Sequence, residues 1–336
     1  MMNPTIKDVA KHANVSIATV SRILNSTSAG YSEKTKERVQ AAIKELGYKP
    51  NAVARGLINN KTQTIGVLFP DVSSMVTSEL LHGIENVTHR LGHSVIVCNT
   101  ASQGKKTLDY LQLLSEKRVE GILFASEMLT DEYYEAIKAM KVPAVLVSTK
   151  SQKHPMPYVK VDDRDASYTA TSYLIEKGHR RIGMLSGNPK DIISGLPRIE
   201  GFQAALRDHG LLDHGASVFP AKGFSYEDGM EMFKKLRREA EDITAIFAAS
   251  DEMAVGALAS AYKINVKVPD DISIIGYDNI KISEMAIPPL TTLAQPLREM
   301  GEKAAELLFE TLNTGEASES IMLPHRIVER ESVKEL

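Results

Sequence analysis

The chain has 336 residues, 43% of them hydrophobic and 25% charged, which suits a soluble globular protein of two or three domains, and its single cysteine excludes an intramolecular disulfide framework. The formal net charge of −3 hides a split. Residues 1–61 carry ten Lys and Arg against four Asp and Glu, or +6, which leaves thirty bases against thirty-nine acids, or −9, for the remainder; a basic head on an acidic body points to a polyanion partner at the N-terminus alone.

Residues 5–47 read as three short helices. The first, about Ile6–Ala13, places Ile6, Val9, Ala10 and Ala13 at helical spacing and stops near Asn14. Ser16 is positioned to cap a second helix, about Ile17–Leu24. Ser32 opens a longer one with Val39, Ile43 and Leu46 on one face, ended by Gly47. Pro50–Leu57 is weakly helical and would need a partner to fold.

From Thr64 the pattern changes to apolar runs of four to seven residues: Ile65–Phe69, Ser94–Cys98, Gly121–Ala125, Ala144–Val147, Arg181–Leu185, Ala245–Ala248 and Ile272–Gly276. Amphipathic helical stretches lie between them, at Glu79–Leu91, Leu108–Lys117, Ala166–Lys177, Ile199–His209, Gly229–Glu239 and Met253–Ala261. Alternation of this kind predicts parallel, doubly wound sheets, here two of them, with crossings near Asp162–Asp165 and Thr291–Gln295. A last helix (Met300–Thr311) and a late strand (Ile321–Glu329) complete the lobes. Ligands of such sheets bind in the crevice at the carboxyl ends of the strands. Cys98 lies in one of the apolar runs and reads as a small core residue. No stretch approaches the roughly twenty apolar residues of a membrane span, and the N-terminus has no apolar run of the signal-peptide kind, so no membrane partner and a cytoplasmic location are expected.

Thr5-Ile-Lys-Asp-Val-Ala10, Asn14-Val-Ser16 and Ile17-Ala-Thr-Val-Ser-Arg22 through Asn25 have the spacing of a helix-turn-helix. Val9, Ala10, Val15, Val20 and Ile23 make its small core. Ile17, Ala18, Thr19, Ser21 and Arg22 are left on the outer face of the second helix, where hydroxyls suit phosphates and an Arg suits guanine in a major groove.

These segments, with Leu46-Gly-Tyr-Lys-Pro-Asn-Ala-Val-Ala-Arg55, resemble the lactose-repressor (LacI/GalR) family of bacterial transcriptional regulators. The resemblance runs on through Ile65-Gly-Val, Gly178-His-Arg-Arg-Ile-Gly183, Asp251-Glu-Met-Ala-Val-Gly256, Ile274-Ile-Gly-Tyr-Asp278 and Pro289-Leu-Thr-Thr. It implies an N-terminal all-α helix-turn-helix domain plus an α/β two-lobed, periplasmic-binding-protein-like core. The expected division is a headpiece over 1–49, a hinge helix and linker over 50–61, one core subdomain over 62–162 and 292–323, and another over 163–291 and 324–336. The core takes effector binding and dimerisation.

The resemblance also implies site residues and partners. Thr5, Ser16, Ile17, Ala18, Thr19, Ser21, Arg22 and Asn25 face double-stranded DNA at a pseudo-palindromic operator. Asn51, Ala54, Arg55 and Leu57 belong to the hinge, with Leu57 wedged into a minor-groove step. Arg198, Asp251 and Asp278 contact a small-molecule effector, a sugar or sugar derivative, with Phe224 stacking on it and Asp162 as a further contact. Carboxylates and a guanidinium suit hydroxyl pairs; capping or bracing is the plainer reading for either Asp, and core packing for Phe224. Where the family commonly carries an aromatic pair at the start of the first lobe's helix, this chain has Ser74-Met-Val-Thr-Ser78. That leaves open a purine effector or a phosphorylated carrier protein as co-regulator. No heptad tail follows Arg330, which favours a homodimer over a tetramer.

An enzyme is not expected, and neither is a cofactor. The chain lacks a Gly-x-Gly-x-x-Gly after its first strand, a phosphate-binding loop and a nucleophile elbow. His89 and His93 have metal-compatible spacing, but no acid accompanies them, so no metal is expected. A secreted solute-binding protein shares the two-lobed fold, and the basic head separates the two readings.

Overall fold

The computed structural model describes residues 4–24, 30–48, 62–212, 217–316 and 318–336. The chain forms two units that divide between Gln63 and Thr64.

The first unit holds α1 (Ile6–His12), α2 (Ile17–Leu24) and α3 (Glu33–Leu46), each starting and stopping where local chemistry requires. At the start of α1 the Thr5 N–H and hydroxyl both donate to Asp8 Oδ2, at 2.8 and 2.7 Å. Asn14 turns the chain in left-handed backbone, φ +47°, a region Asn tolerates better than most residues. Ser16 Oγ accepts from the Thr19 N–H at 3.1 Å, the expected cap of α2. Ser32 caps α3, and Gly47 at φ +61° ends it. Val9, Ala10, Val20 and Ile23 join Ala13, Val39 and Ala42 in the core; Val15 is half-buried at its margin.

The second unit opens with β1 (Thr64–Phe69), α4 (Met75–Arg90), β2 (Ser94–Asn99), α5 (Gly104–Glu116), β3 (Gly121–Ala125), α6 (Asp131–Met140), β4 (Ala144–Val147) and β5 (Tyr158–Val161). It continues with α7 (Asp163–Glu176), β6 (Ile182–Ser186), α8 (Gly195–Asp208), β7 (Ser217–Pro220), α9 (Tyr226–Glu239) and β8 (Ala245–Ala248). Then come α10 (Asp251–Lys263), β9 (Ser273–Asp278), α11 (Lys281–Met285), β10 (Thr291–Ala294), α12 (Leu297–Thr314), β11 (Ile321–Leu323) and β12 (Arg326–Val328). The strands sort into two six-stranded sheets, ordered β11-β5-β4-β3-β1-β2 and β12-β10-β9-β8-β6-β7. Every pairing is parallel except the antiparallel contact of β10 with β12. Parallel strands covered on both faces need unbroken apolar runs, and β3, β6, β8 and β9 are buried at every residue.

The chain passes between the sheets after β5, after β10 and between β11 and β12. The return expected at residue 292 comes only after Ala294, because Thr291–Ala294 pairs in register with Ile275–Asp278 of β9 and stays in the second sheet. The late strand expected over Ile321–Glu329 is two short strands, one in each sheet, parted at Pro324, which has no N–H to give a ladder. Cys98 is buried as expected, and burial pushes its thiol up to about 11. No helix among the described residues is long and apolar enough to cross a membrane.

Candidate functional site

In the first unit the outer face of α2 presents Ile17, 45% exposed, with Ala18 and Arg22 also exposed and Thr19 and Ser21 half-buried. Ser16 and Thr5 are exposed at the two helix starts, where their hydroxyls are engaged in the caps. Gly30, at φ +99°, carries no motif that would single it out, yet a Cβ there would sit 3.0 Å from Arg22 Nη1. A side chain at residue 30 would be strained by that backbone conformation and would displace the tip of Arg22 by a few tenths of an ångström. Asn25, Asn51, Ala54, Arg55 and Leu57 lie outside the described residues.

In the second unit a cavity of about 500 Å³ opens at the carboxyl ends of the strands, between the two sheets. Its second-sheet wall includes Arg198, Phe224, Ser250, Glu252 and Asp278; the first-sheet wall includes Asp71, Ser74, Thr77 and Glu127. Four residues with left-handed backbone line it. Ser102, Ser126 and Ser148, at φ +50° to +55°, follow β2, β3 and β4, and Asp278 ends β9 at φ +118°. Strained backbone gathered where strands end at a cavity is a mark of a functional site.

Arg198, 6% exposed, is fixed from three sides. Its Nε donates to Asp163 Oδ1 at 2.8 Å, its Nη1 to the Ala249 carbonyl at 2.6 Å, and its guanidinium lies 3.9 Å over the Tyr277 ring and 5.1 Å from that of Phe224. Burial works against this cation, but Tyr277, Asp163 and Asp278 hold its pKa above the ordinary value. Asp163 also accepts from Lys160 at 2.9 Å and from Tyr277 Oη at 3.1 Å. Burial alone would raise its pKa; Arg198 and Lys160 outweigh that and hold it down. Arg198 Nη2 has no protein acceptor among the described residues, and Arg198 lines the cavity.

Asp278, 4% exposed, accepts from Gln295 Nε2 at 2.8 Å. Burial pushes its carboxyl up to about 7. Glu252 stands on α10, yet Ser74 and the Met75 N–H at the start of α4 lie close enough to favour its charged form, so it spans the two lobes. Burial still raises its pKa, and Asp71 adds repulsion.

Of the five residues anticipated in the cleft, Arg198, Phe224 and Asp278 line the cavity and Asp251 and Asp162 do not. Asp251 is fully buried and braces the floor: Oδ1 accepts from Thr292 Oγ1 at 2.5 Å and Oδ2 from the Ile280 N–H at 2.9 Å. Its neighbours Ser250 and Glu252 face the cavity instead, since Asp251 turns inward as the first residue of α10. Asp162 caps α7 through the Arg164 and Asp165 N–H groups, and the next residue, Asp163, holds Arg198. His93 packs edge-on against Phe309, 4.6 Å between centroids.

The family profile described as "Bacterial regulatory proteins, lacI family" matches residues 5–51, and that of a periplasmic binding protein-like domain matches 171–333. The chain is 38% identical to catabolite control protein A of Priestia megaterium over 334 residues, covering 99% of this chain and 100% of the relative. It superposes with a TM-score of 0.89 on the lac repressor dimer bound to operator and the anti-inducer ONPF, at 29% identity over 99% and 100% of the two chains. On the complex of the regulator CelR with cellobiose the TM-score is 0.73, at 29% identity over 98% and 99%.

Proposed function

This chain belongs to the lacI family of bacterial regulatory proteins and is a DNA-binding transcription regulator; from that premise we propose that a small carbohydrate held in the cleft of its second unit sets its grip on a pseudo-palindromic operator. The observation that carries the effector half is the pairing, in one cavity of about 500 Å³, of a guanidinium with a free Nη2 and the Asp278 carboxyl. Both can hydrogen-bond hydroxyls, and the volume suits a mono- or disaccharide. The lac repressor complex holds ONPF and the CelR complex holds cellobiose, which supports the same class of ligand here. The protein works as a homodimer in the cytoplasm, as a binding protein and not an enzyme.

The exposed face of α2 reads the operator, with Arg22 as its base-pairing side chain and Ile17 and Ala18 against thymine methyls. The linker roles of Asn51, Ala54, Arg55 and Leu57 rest on the family likeness alone. Coupling follows from linkage: a ligand that touches both lobes favours one angle between them, and that angle biases DNA affinity. Asp278→Ala should keep operator affinity within about twofold while abolishing any change in it on adding ligand, read by fluorescence anisotropy on a labelled operator. An Asp278→Ala protein that still responds to ligand would remove Asp278 from the effector site.

A further inference from the structure

The charge of the cavity wall restricts the ligand further than its shape does. Six carboxylates line it, on Asp71, Glu127, Asp191, Asp228, Glu252 and Asp278, against the single cation of Arg198. That cation is already committed to Asp163. Asp71, Asp191 and Asp228 accept only from neutral donors of their own loops: the Ser73 N–H and hydroxyl, the Ile193, Ser194 and Gly195 N–H groups, and the Ser225 N–H and hydroxyl. Glu127 accepts from the Thr100 hydroxyl at 3.0 Å. Among the described residues no Lys or Arg forms an ion pair with any of the six.

The acids are also close to one another: Asp71 repels Glu252, and Glu252 repels Asp278. Asp278 is nine-tenths buried, its Oδ1 is taken by Gln295, and Oδ2 has no protein donor among the described residues while the residue borders the cavity. An anionic ligand would add like charge to this wall. A ligand ammonium would add positive charge to a wall whose one cation is shared between Asp163 and Asp278, and would give a donor to Asp278 Oδ2.

We propose that the effector is an aminated carbohydrate, its ammonium seated among Asp71, Glu252 and Asp278 and its hydroxyls turned to Arg198 and the serine wall, and that phosphorylated sugars are rejected. This rests on reading the cavity as the effector site.

The test is calorimetric titration of the full chain with glucosamine, galactosamine and mannosamine, the matching neutral hexoses, N-acetylglucosamine and glucose 6-phosphate. At least one hexosamine should bind about tenfold or more tightly than its neutral counterpart, a difference of about 1.4 kcal/mol, and glucose 6-phosphate should bind more weakly than glucose. Glu252→Gln and, separately, Asp71→Asn should lower hexosamine affinity by more than they lower neutral-hexose affinity, so that the ratio between the two narrows. Tighter binding of the phosphate ester, or equal binding of amine and hydroxyl forms, overturns the ammonium assignment and leaves the cavity standing as a carbohydrate site. Absence of binding by every compound at millimolar concentration overturns both.

Discussion

Asp278 occupies a position that serves the cavity at the expense of the fold. Its φ of +118° lies where L-residues are strained, at a cost on the order of 1–3 kcal/mol. Its carboxyl, pushed by burial up to about 7, takes a proton in the folded chain across a pH range where the unfolded chain has lost it. Buried Asp251, raised by burial and by Asp278, shifts in the same sense. For carboxyls raised on folding, the folded state binds more protons than the unfolded one between about pH 4 and 7, so stability falls as pH rises through that window. Asp278→Asn keeps the shape and tolerates the backbone, so in urea unfolding at pH 8 it should be more stable than the parent by on the order of a few kcal/mol, with the gap closing toward pH 5. A constant gap across that range would show that the Asp278 charge does not burden the fold. The sequence revealed Asp278 and Arg198 through their positions after a strand and before a helix. It misassigned Asp251 because spacing locates a strand end to within a residue but not which neighbour turns inward. Ser250 and Glu252 carried no sequence signal beyond that adjacency.

Helix packing around the first sheet depends on residues without side chains. A Cβ on Gly83 of α4 would stand 2.0 Å from the Arg298 carbonyl oxygen of α12, and one on Gly301 of α12 would stand 2.1 Å from that of Leu80. The helices cross backbone to backbone, and neither carbonyl can yield as a side-chain tip could. Gly301→Ala should therefore destabilise the second unit by about 1–3 kcal/mol or more in urea unfolding, despite its better helix propensity. An unchanged midpoint would mean the two helices can part to admit a methyl group at no cost. On α2, Arg22→Ala should cost about 1–3 kcal/mol of discrimination between operator and a site changed at one base pair, measured by competition anisotropy; equal discrimination would take Arg22 off the bases. The long apolar strands and capped helices were legible in the sequence. Three short strands were not: β5 carries Lys160 in its middle, β7 ends in Pro220, and β10 opens with two threonines. All three are strands only because the sheet beside them supplies partners.

At the scale of the whole chain, the charge split separates two tasks. The +6 of residues 1–61 supplies salt-dependent attraction to DNA, while the −9 of the rest keeps the receptor off the phosphates. Three passages of the chain between the sheets let a ligand bound at both walls act on their relative angle, and Glu252, facing the start of α4 from the opposite lobe, is positioned to register that change. The two-sheet architecture was readable from strand–helix alternation, whereas the acidic character of the cleft was not, because it depends on which loop residues the fold turns inward. The most direct test is selection of duplexes from a random pool by the full chain, followed by anisotropy titration at moderate salt with and without a cavity ligand. The expected result is enrichment of a two-fold symmetric sequence, bound about 10³-fold or more tightly than random duplex, with an affinity that shifts when the ligand is added. Equal affinity for selected and random duplexes, unmoved by any ligand that binds the cavity, would contradict it.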